Sequence, residues 1–524
     1  MNTHQKTPIT SLLHRATTAF SKMVRQHRVE ILLIFFCVAA ATLFVLLFSH
    51  STSPLYSNYL TYGGEASAGD SLQFQTIGKA WLDGAMPYRD AFDHKGPLLF
   101  FINMLGFLLG GGTRYGIVIL QIICLSISLY YVIKISRLAT ASRSWGIFNV
   151  LIFLVFYSFA YIDGNGSQEY NLPFIIVPVY LALSYFSSEN ARQGKHNPIY
   201  ALIYGLGAGA SLMIQASNVV LICPCILVVG FTLIKNRQYK LLLQNLLYGA
   251  AGVAISTLPF VVYFAFNGAL SEMLYATLFF NFDYSQHIGS WLFDYIGING
   301  EWLRYFILDY LPYFLIFPTI LLAWRRKAYY IVSFTVISAV LETYLFFSTR
   351  AYWHYVICVL PQLPMFFNEF IQIRTHTEAS KMLHYATLTI FVIIGYNQTM
   401  QLIGEVKDQR YDIQTAAGGY ENIIEPHMDE IRSSSILTYG GNSLKSFNLR
   451  YDLPIAEKYW IVQDWHASFS PQAQQEITQM FNDSQVEFIL TDNGAQSYRP
   501  IINERYELIE GGEDTKYQLY RLKS

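Results

Sequence analysis

The chain has 524 residues, of which 53% are hydrophobic and only 14% charged, against about 25% charged in an ordinary globular protein. Residues 1–399 hold 17 acidic and 24 basic side chains, about 10%, whereas residues 400–524 hold 19 and 11, about 24%. That division excludes a cytosolic enzyme and a disordered chain. A formal net charge of −1, with no basic cluster on the polar tail, excludes nucleic acid as a partner.

In chain order, apolar runs near 31–49, 115–135, 146–162, 172–186, 198–213, 217–234, 244–265, 305–324, 328–347, 353–373 and 382–397 are long enough, or nearly so, to cross a bilayer. The fold class they predict is a polytopic α-helical membrane protein of about 11 spans, residues 1–399, followed by a small extracytoplasmic α/β domain, residues 400–524. The first run begins after thirty residues and no small-residue cleavage site follows it closely, so it reads as a span and not as a leader. Lysine and arginine accumulate in cytoplasmic loops. With a cytoplasmic N-terminus, 18 of the 24 basic residues of the body fall on that side, Arg325-Arg326-Lys327 among them. The glycine-rich stretch 96–112 would invert every later loop if it crossed, so it is expected as an interfacial helix on the outer surface. All five cysteines (Cys37, Cys124, Cys223, Cys225 and Cys358) lie in apolar runs, which excludes a disulfide framework or thiolate zinc site in the tail.

In the tail, Ser435–Gly440 and Val486–Thr491 read as buried strands and Pro471–Phe481 as a helix capped by Ser470. Segments 506–510 and 517–522 should close the sheet as a hairpin. Gly440-Gly441 lacks the spacing of a phosphate-binding fingerprint and reads as a tight turn. Gly205-Leu-Gly-Ala-Gly209 has the small-residue spacing of a close helix contact.

The chemistry concentrates in the first outer loop, residues 50–114, which carries Glu65, Asp70, Asp83, Asp90 and Asp93 together with Lys79, Arg89, His94 and Lys95. A loop of this length in a folded protein is usually functional. Only Lys79, Arg89, Lys95, Arg114, Arg304 and Arg350 of the body's cations fall on the outer side, where the charge rule disfavours them. Lys95 stands at the mouth of the interfacial helix, and Arg350 precedes His354 and Tyr355 at the head of the next span. Both are at the level of lipid headgroups, where a lipid-linked phosphate would lie.

Gly69-Asp-Ser-Leu-Gln-Phe, Gly78-Lys-Ala-Trp-Leu-Asp-Gly84 and Pro87-Tyr-Arg-Asp-Ala-Phe-Asp-His-Lys-Gly-Pro-Leu98 resemble the first outer loop of bacterial GT-C glycosyltransferases. These are the polyprenyl-phosphate-sugar-dependent enzymes similar to protein O-mannosyltransferases and the aminoarabinose transferase of lipid A. Gly164-Asn-Gly-Ser-Gln-Glu-Tyr-Asn171 after the third span agrees with that layout. The resemblance implies Asp70 as catalytic base, although Ser71 stands where many members carry a second acid. It implies Lys95 as the donor-phosphate ligand, although Gly96 separates it from Pro97, and Glu169 as the acid of the second outer loop.

The expected function is transfer of a sugar from a polyprenyl-phosphate donor to an extracytoplasmic acceptor, with inversion. Asp70 would be general base, Lys95 and Arg350 would hold the phosphate, and Glu169, Asp93, His94, His354 and Tyr355 would contact substrate. A phosphate leaving group needs no general acid; it needs cations. No cofactor is implied, and a divalent metal is compatible with the resemblance without being required. Expected partners are the donor, membrane lipid, and a cell-envelope glycan, lipid or protein as acceptor, with the protein in a bacterial cell membrane. The alternative is a transporter or flippase of lipid-linked sugars, for which Asp309, Glu342 and Glu369 are the membrane carboxylates to consider.

Overall fold

Backbone amides have no water to bond within a bilayer, so apolar runs of this kind must close their hydrogen bonds as helices. The computed structural model describes residues 8–49, 53–56, 69–140, 142–161, 164–286, 315–348, 353–372, 419–512 and 515–523, with isolated positions between 389 and 407. Its body contains α1 (Pro8–Phe48), α2 (Asp70–Leu82), α3 (Pro97–Leu109), α4 (Tyr115–Ser136), α5 (Arg143–Ala160), α6 (Ser167–Phe186), α7 (Pro198–Ile214), α8 (Ile222–Lys235) and α9 (Tyr239–Phe266). Beyond these come α10 (Phe280–Gln286), α11 (Ile316–Arg325), α12 (Tyr329–Ser348) and α13 (Leu363–Ile371). Five segments among the described residues are long and apolar enough to cross a membrane: Arg28–Phe48, Tyr115–Ser136, Arg143–Ala160, Ala216–Lys235 and Tyr239–Phe266. Large apolar side chains such as Phe35, Leu43, Leu247, Ile255 and Phe266 are exposed on them. In water such a belt would be a liability; a bilayer covers it.

The spans expected at 382–397 and over 305–314 lie outside the described residues, apart from isolated positions. One other differs from the expectation. Residues 353–373 do not form one helix: 3-10 turns over Trp353–Cys358 and Leu360–Gln362 precede α13, because Pro361 and Pro364 each remove a backbone donor. The break is buried among the other helices, the condition under which irregular backbone is tolerated at membrane depth. Helix α3, about 20 Å long at 1.5 Å per residue, packs between α2 and α4. Leu99, Phe100, Asn103 and Phe107 are buried on it while Leu108 and Leu109 remain exposed. A Cβ on Gly78 of α2 would come within 2.5 Å of Asn103, so the contact requires glycine.

Close approach also joins α7 to α9, as the glycine spacing predicts. A Cβ on Gly205 would stand 2.0 Å from the Gly249 carbonyl oxygen, and Ser256 donates to the Leu206 carbonyl at 2.9 Å.

The C-terminal unit is a four-stranded sheet in the order β1-β2-β4-β3, with β1 (Ile436–Tyr439) parallel to β2 (Phe488–Asp492). β3 (Tyr506–Glu510) and β4 (Tyr517–Leu522) form the expected antiparallel hairpin. Helices α14 (Phe447–Tyr451), α15 (Gln463–Phe469) and α16 (Pro471–Asp483) lie in the β1–β2 crossover, and α17 (Arg499–Arg505) follows β2. Ser470 occupies the N-cap position of α16 but does not cap it. Its hydroxyl donates instead to Asp283 of α10 at 2.8 Å and lies 3.0 Å from the Tyr275 hydroxyl.

The apolar core of this unit continues into the first loop. Phe74, Ile77, Tyr88 and Phe92 pack in one cluster with Leu437, Tyr459, Trp460 and Phe469. The Phe92 amide donates to the Lys458 carbonyl at 2.8 Å, and the Phe92 and Tyr459 rings are 4.7 Å apart.

Candidate active site

Helix α2 has an unusual buried face: Ser71, Gln73, Gln75 and Thr76 lie inside with Leu72 and Phe74. Each of these polar side chains donates a hydrogen bond, as burial demands, while the Gln75 Oε1 oxygen is left without one. Ser71 donates to the Gly164 carbonyl at 3.3 Å, Gln75 to Ser71 at 3.1 Å, and Gln73 to Asp93 Oδ2 at 2.7 Å. The chain enters α2 through Gly69 at φ 127°, a left-handed position that favours glycine. Asp70 is therefore the first helical residue, and its carboxylate makes no capping bond. It accepts instead from Lys445 Nζ of the C-terminal unit, at 2.9 Å.

Lys95 is presented by a turn that folds back on itself. Asp90 accepts from the Met86 amide at 2.8 Å, Tyr88 adopts φ 71° and donates its hydroxyl to the Lys95 carbonyl at 2.8 Å, and the Lys95 amide donates to Asp93 Oδ1 at 2.8 Å. Gly96, which separates Lys95 from Pro97, has a physical reason. Its amide donates to the Ile214 carbonyl at 2.9 Å, and a Cβ there would meet the Met213 carbonyl oxygen at 2.2 Å. Pro97 then starts α3 with its fixed φ.

The opposing wall belongs to the C-terminal unit. The Gly440-Gly441 turn is fixed by Asp492, which accepts from the Gly441 amide at 2.8 Å and the Ser443 hydroxyl at 2.9 Å. The Lys445 carbonyl accepts from Thr76 at 3.2 Å. Between the two walls is a cavity of about 460 Å³. Asp70, Asp93, His94, Lys95, His354 and Tyr355, six of the eight expected site residues, line it. Glu169 joins Asp70, Lys95 and His354 on a smaller adjoining cavity. It is buried at the start of α6, accepting from the Asn165 amide at 3.2 Å, and is not a solvated loop carboxylate. Arg350 lies outside the described residues. Asn165, in a glycosylation sequon, is buried and donates to Asn103 at 2.8 Å.

Sequence reasoning missed Lys445, Gln73, Trp465 and His466, all of which line the same cavity. Trp465, His94 and Tyr284 form an aromatic face with ring centroids 5.4–6.0 Å apart. The Lys445 ammonium is the main reason that Asp70 is held far below the usual carboxylate range. Lys95 adds to it. Asp93 is pushed the other way, to about 6, because burial outweighs the pull of the Lys95 ammonium and the bond from the Lys95 amide. Burial lowers Lys95 against the pull of Asp70 and Asp93, and it keeps His94 and His466 neutral. Among the described residues Lys95 makes no ion pair, and no three histidine, cysteine or acidic side chains converge as a metal site.

Fold and site together define a polytopic helical membrane protein with a polar cavity walled on one side by a C-terminal α/β unit. Residues 21–388 match the competence-induced protein Ccs4 N-terminal domain family, and the chain belongs to that family. Among curated proteins no match is found. Among solved structures it is similar to ArnT from Cupriavidus metallidurans in the apo state, at 12% identity over 96% of this chain and 98% of that one, with a TM-score of 0.46. It is also similar to the archaeal oligosaccharyltransferase AglB from Archaeoglobus fulgidus, in complex with an inhibitory peptide and a dolichol-phosphate, at 11% identity over 88% and 69% of the two chains, with a TM-score of 0.38.

Proposed function

We propose that the protein is an integral membrane glycosyltransferase of the GT-C type, transferring a sugar from a polyprenyl-phosphate donor to an acceptor hydroxyl. The observation that carries the reading is the meeting of one ionised carboxylate, Asp70, with the ammonium groups of Lys95 and Lys445 in a cavity of about 460 Å³ at one end of a membrane bundle. In the reaction Asp70 takes the proton of the acceptor hydroxyl as its oxygen bonds to the anomeric carbon. The bond from that carbon to the phosphate oxygen breaks, and its electron pair leaves with the polyprenyl phosphate. Attack opposite the phosphate inverts the carbon. Lys95 neutralises the departing charge, and the face formed by His94, Tyr284 and Trp465 offers rings for the sugar to stack on.

In this reading the cavity opens outside the cytoplasm; a reporter fused after Ser524 should be active only there. The activity test is transfer of labelled sugar from a polyprenyl-phosphate donor by the full chain, with Lys95→Ala losing about 10- to 150-fold in donor affinity, the worth of one charge-assisted contact. Unchanged donor affinity in Lys95→Ala would reject the role. The transporter alternative draws on Asp309, which lies outside the described residues, and on Glu342 and Glu369, which each have a local partner: Gln362 donates to Glu342, and Arg326 pairs with Glu369 at 3.3 Å. Translocation of labelled donor across vesicles without an acceptor would favour it.

A further inference from the structure

The Asp70–Lys445 pair is inconsistent with Asp70 acting as a base in the arrangement described. A carboxylate whose charge is matched by an ammonium 2.9 Å away has little affinity for a proton, so the pair must open before Asp70 can accept one. The two partners are 375 residues apart. Lys445 is only 4% exposed, and burying a lysine is costly unless its charge is compensated. The contact between loop and C-terminal unit does not depend on this ion pair. It is already made by the Phe92–Tyr459 packing, the Phe92–Lys458 backbone bond and the Thr76 bond to the Lys445 carbonyl, and the Ser470–Asp283 bond separately ties α10 to the same unit.

Position argues the same way. Asp492 and Thr76 fix the backbone around Lys445, while its side chain lines the cavity beside Lys95. The Asp70 side chain is 61% exposed, so the pair lies on the cavity wall and not sealed in an interface. A sugar-phosphate diester has two non-bridging oxygens and one negative charge. As its bond to the sugar breaks, it gains a second charge, and a second cation then does most good.

We propose, resting on the glycosyltransferase reading, that Lys445 is a second ligand of the donor phosphate. It is held by Asp70 in the absence of donor and moves to the phosphate when the donor enters, which releases Asp70 as the base. The C-terminal unit is then half of the active site. Since Asp70 becomes competent only when phosphate has drawn Lys445 away, proton abstraction is coupled to donor occupancy.

The test compares the affinity of the purified full chain for a polyprenyl phosphate and for the corresponding neutral polyprenol, which lacks the phosphate. The ratio of the two isolates recognition of the phosphate from any effect on the tail groove. Lys445→Ala should reduce this ratio about tenfold or more, with the polyprenol affinity unchanged and Lys445→Arg restoring part of it. Should Lys445→Ala fail to fold because Asp70 is left unpaired, the double variant Asp70→Asn/Lys445→Gln removes both charges while keeping a hydrogen-bonding pair. It should show the same loss. A ratio unchanged in Lys445→Ala or in the double variant, while Lys95→Ala reduces it, overturns the proposal and leaves the glycosyltransferase reading in place. A ratio unchanged in all of them, Lys95→Ala included, overturns both. Equal weakening of polyprenol and polyprenyl phosphate assigns Lys445 a structural role only and likewise overturns the proposal.

Discussion

Asp70→Asn separates base chemistry from binding. The substitution keeps the size of the side chain and an oxygen that accepts from Lys445 Nζ, now 2.9 Å away, and it removes only the capacity to take a proton. Because Asp70 makes no capping bond at the start of α2, helix formation should not suffer. The stability cost should be small as well: the carboxylate is 61% exposed to the cavity, where solvent screens the pair towards the low worth of surface ion pairs. With its carboxylate competitor gone, Lys445 should bind phosphate more readily, so polyprenyl-phosphate affinity should hold or rise. Turnover should fall about 100- to 10,000-fold, the worth of general base catalysis. The assay is single-turnover transfer with saturating donor, alongside a melting curve and the donor affinity of the same preparation. Near-wild-type single-turnover rates in a well-folded Asp70→Asn protein would refute the assignment and pass it to Glu169, which shares a cavity wall with Asp70.

Asp93 should govern a pH dependence of stability. Its folded value, about 6, lies above its ordinary 3.8, so the folded chain holds the proton more tightly than the unfolded one, and the stabilisation is complete below about 4 and is lost as pH rises through 6. The span amounts to roughly 2–3 kcal/mol. Melting temperature between pH 4 and 7 should therefore fall less steeply in Asp93→Asn than in the native chain, and identical slopes would disprove the link. Gly96→Ala should lower the melting temperature and weaken phosphate binding together. Its methyl would meet the Met213 backbone at 2.2 Å, where no side chain can yield, and overpacking of this kind costs about 1–3 kcal/mol. A variant with native stability and affinity would show that the turn bearing Lys95 has more freedom than its contacts imply.

The bundle was legible because the bilayer imposes a simple rule, apolar runs closing their own hydrogen bonds, and the α/β tail because short buried strands end at turn residues. Periodicity does not register where proline interrupts a buried segment; thus 353–373 reads as one span, although Pro361 and Pro364 split it into turns. The charge rule marked α3 as interfacial but could not reveal that glycines at 78, 106 and 110 draw it between α2 and α4. At the site, the motif around residues 69–98 identified Asp70, Asp93, His94 and Lys95 because they lie close in sequence. Lys445 had no such signal. The charge rule that singled out Lys95 applies only near membrane spans, and in a tail with 24% charged residues one more lysine is unremarked. The Gly440-Gly441 turn was visible, but Lys445, which follows it, meets its partner Asp70 at a separation of 375 residues.

That separation bears on how the chemistry is shielded. A polyprenyl-phosphate sugar can be hydrolysed by water as well as by an acceptor, so a site at the membrane surface must admit a hydroxyl without opening fully to solvent. On the proposed mechanism the membrane body supplies the base and one cation, while the C-terminal unit supplies a second cation and the aromatic ring of Trp465 from the opposite side. Neither half encloses the cavity. The shared core of Phe92, Tyr459 and Phe280 joins them, so a substitution such as Phe92→Ala acts on chemistry through geometry: it loosens the wall carrying Lys445 relative to the wall carrying Asp70 and Lys95. In the proposed mechanism, the apolar contact between the two units is what holds proton acceptor and phosphate ligands within reach of one substrate.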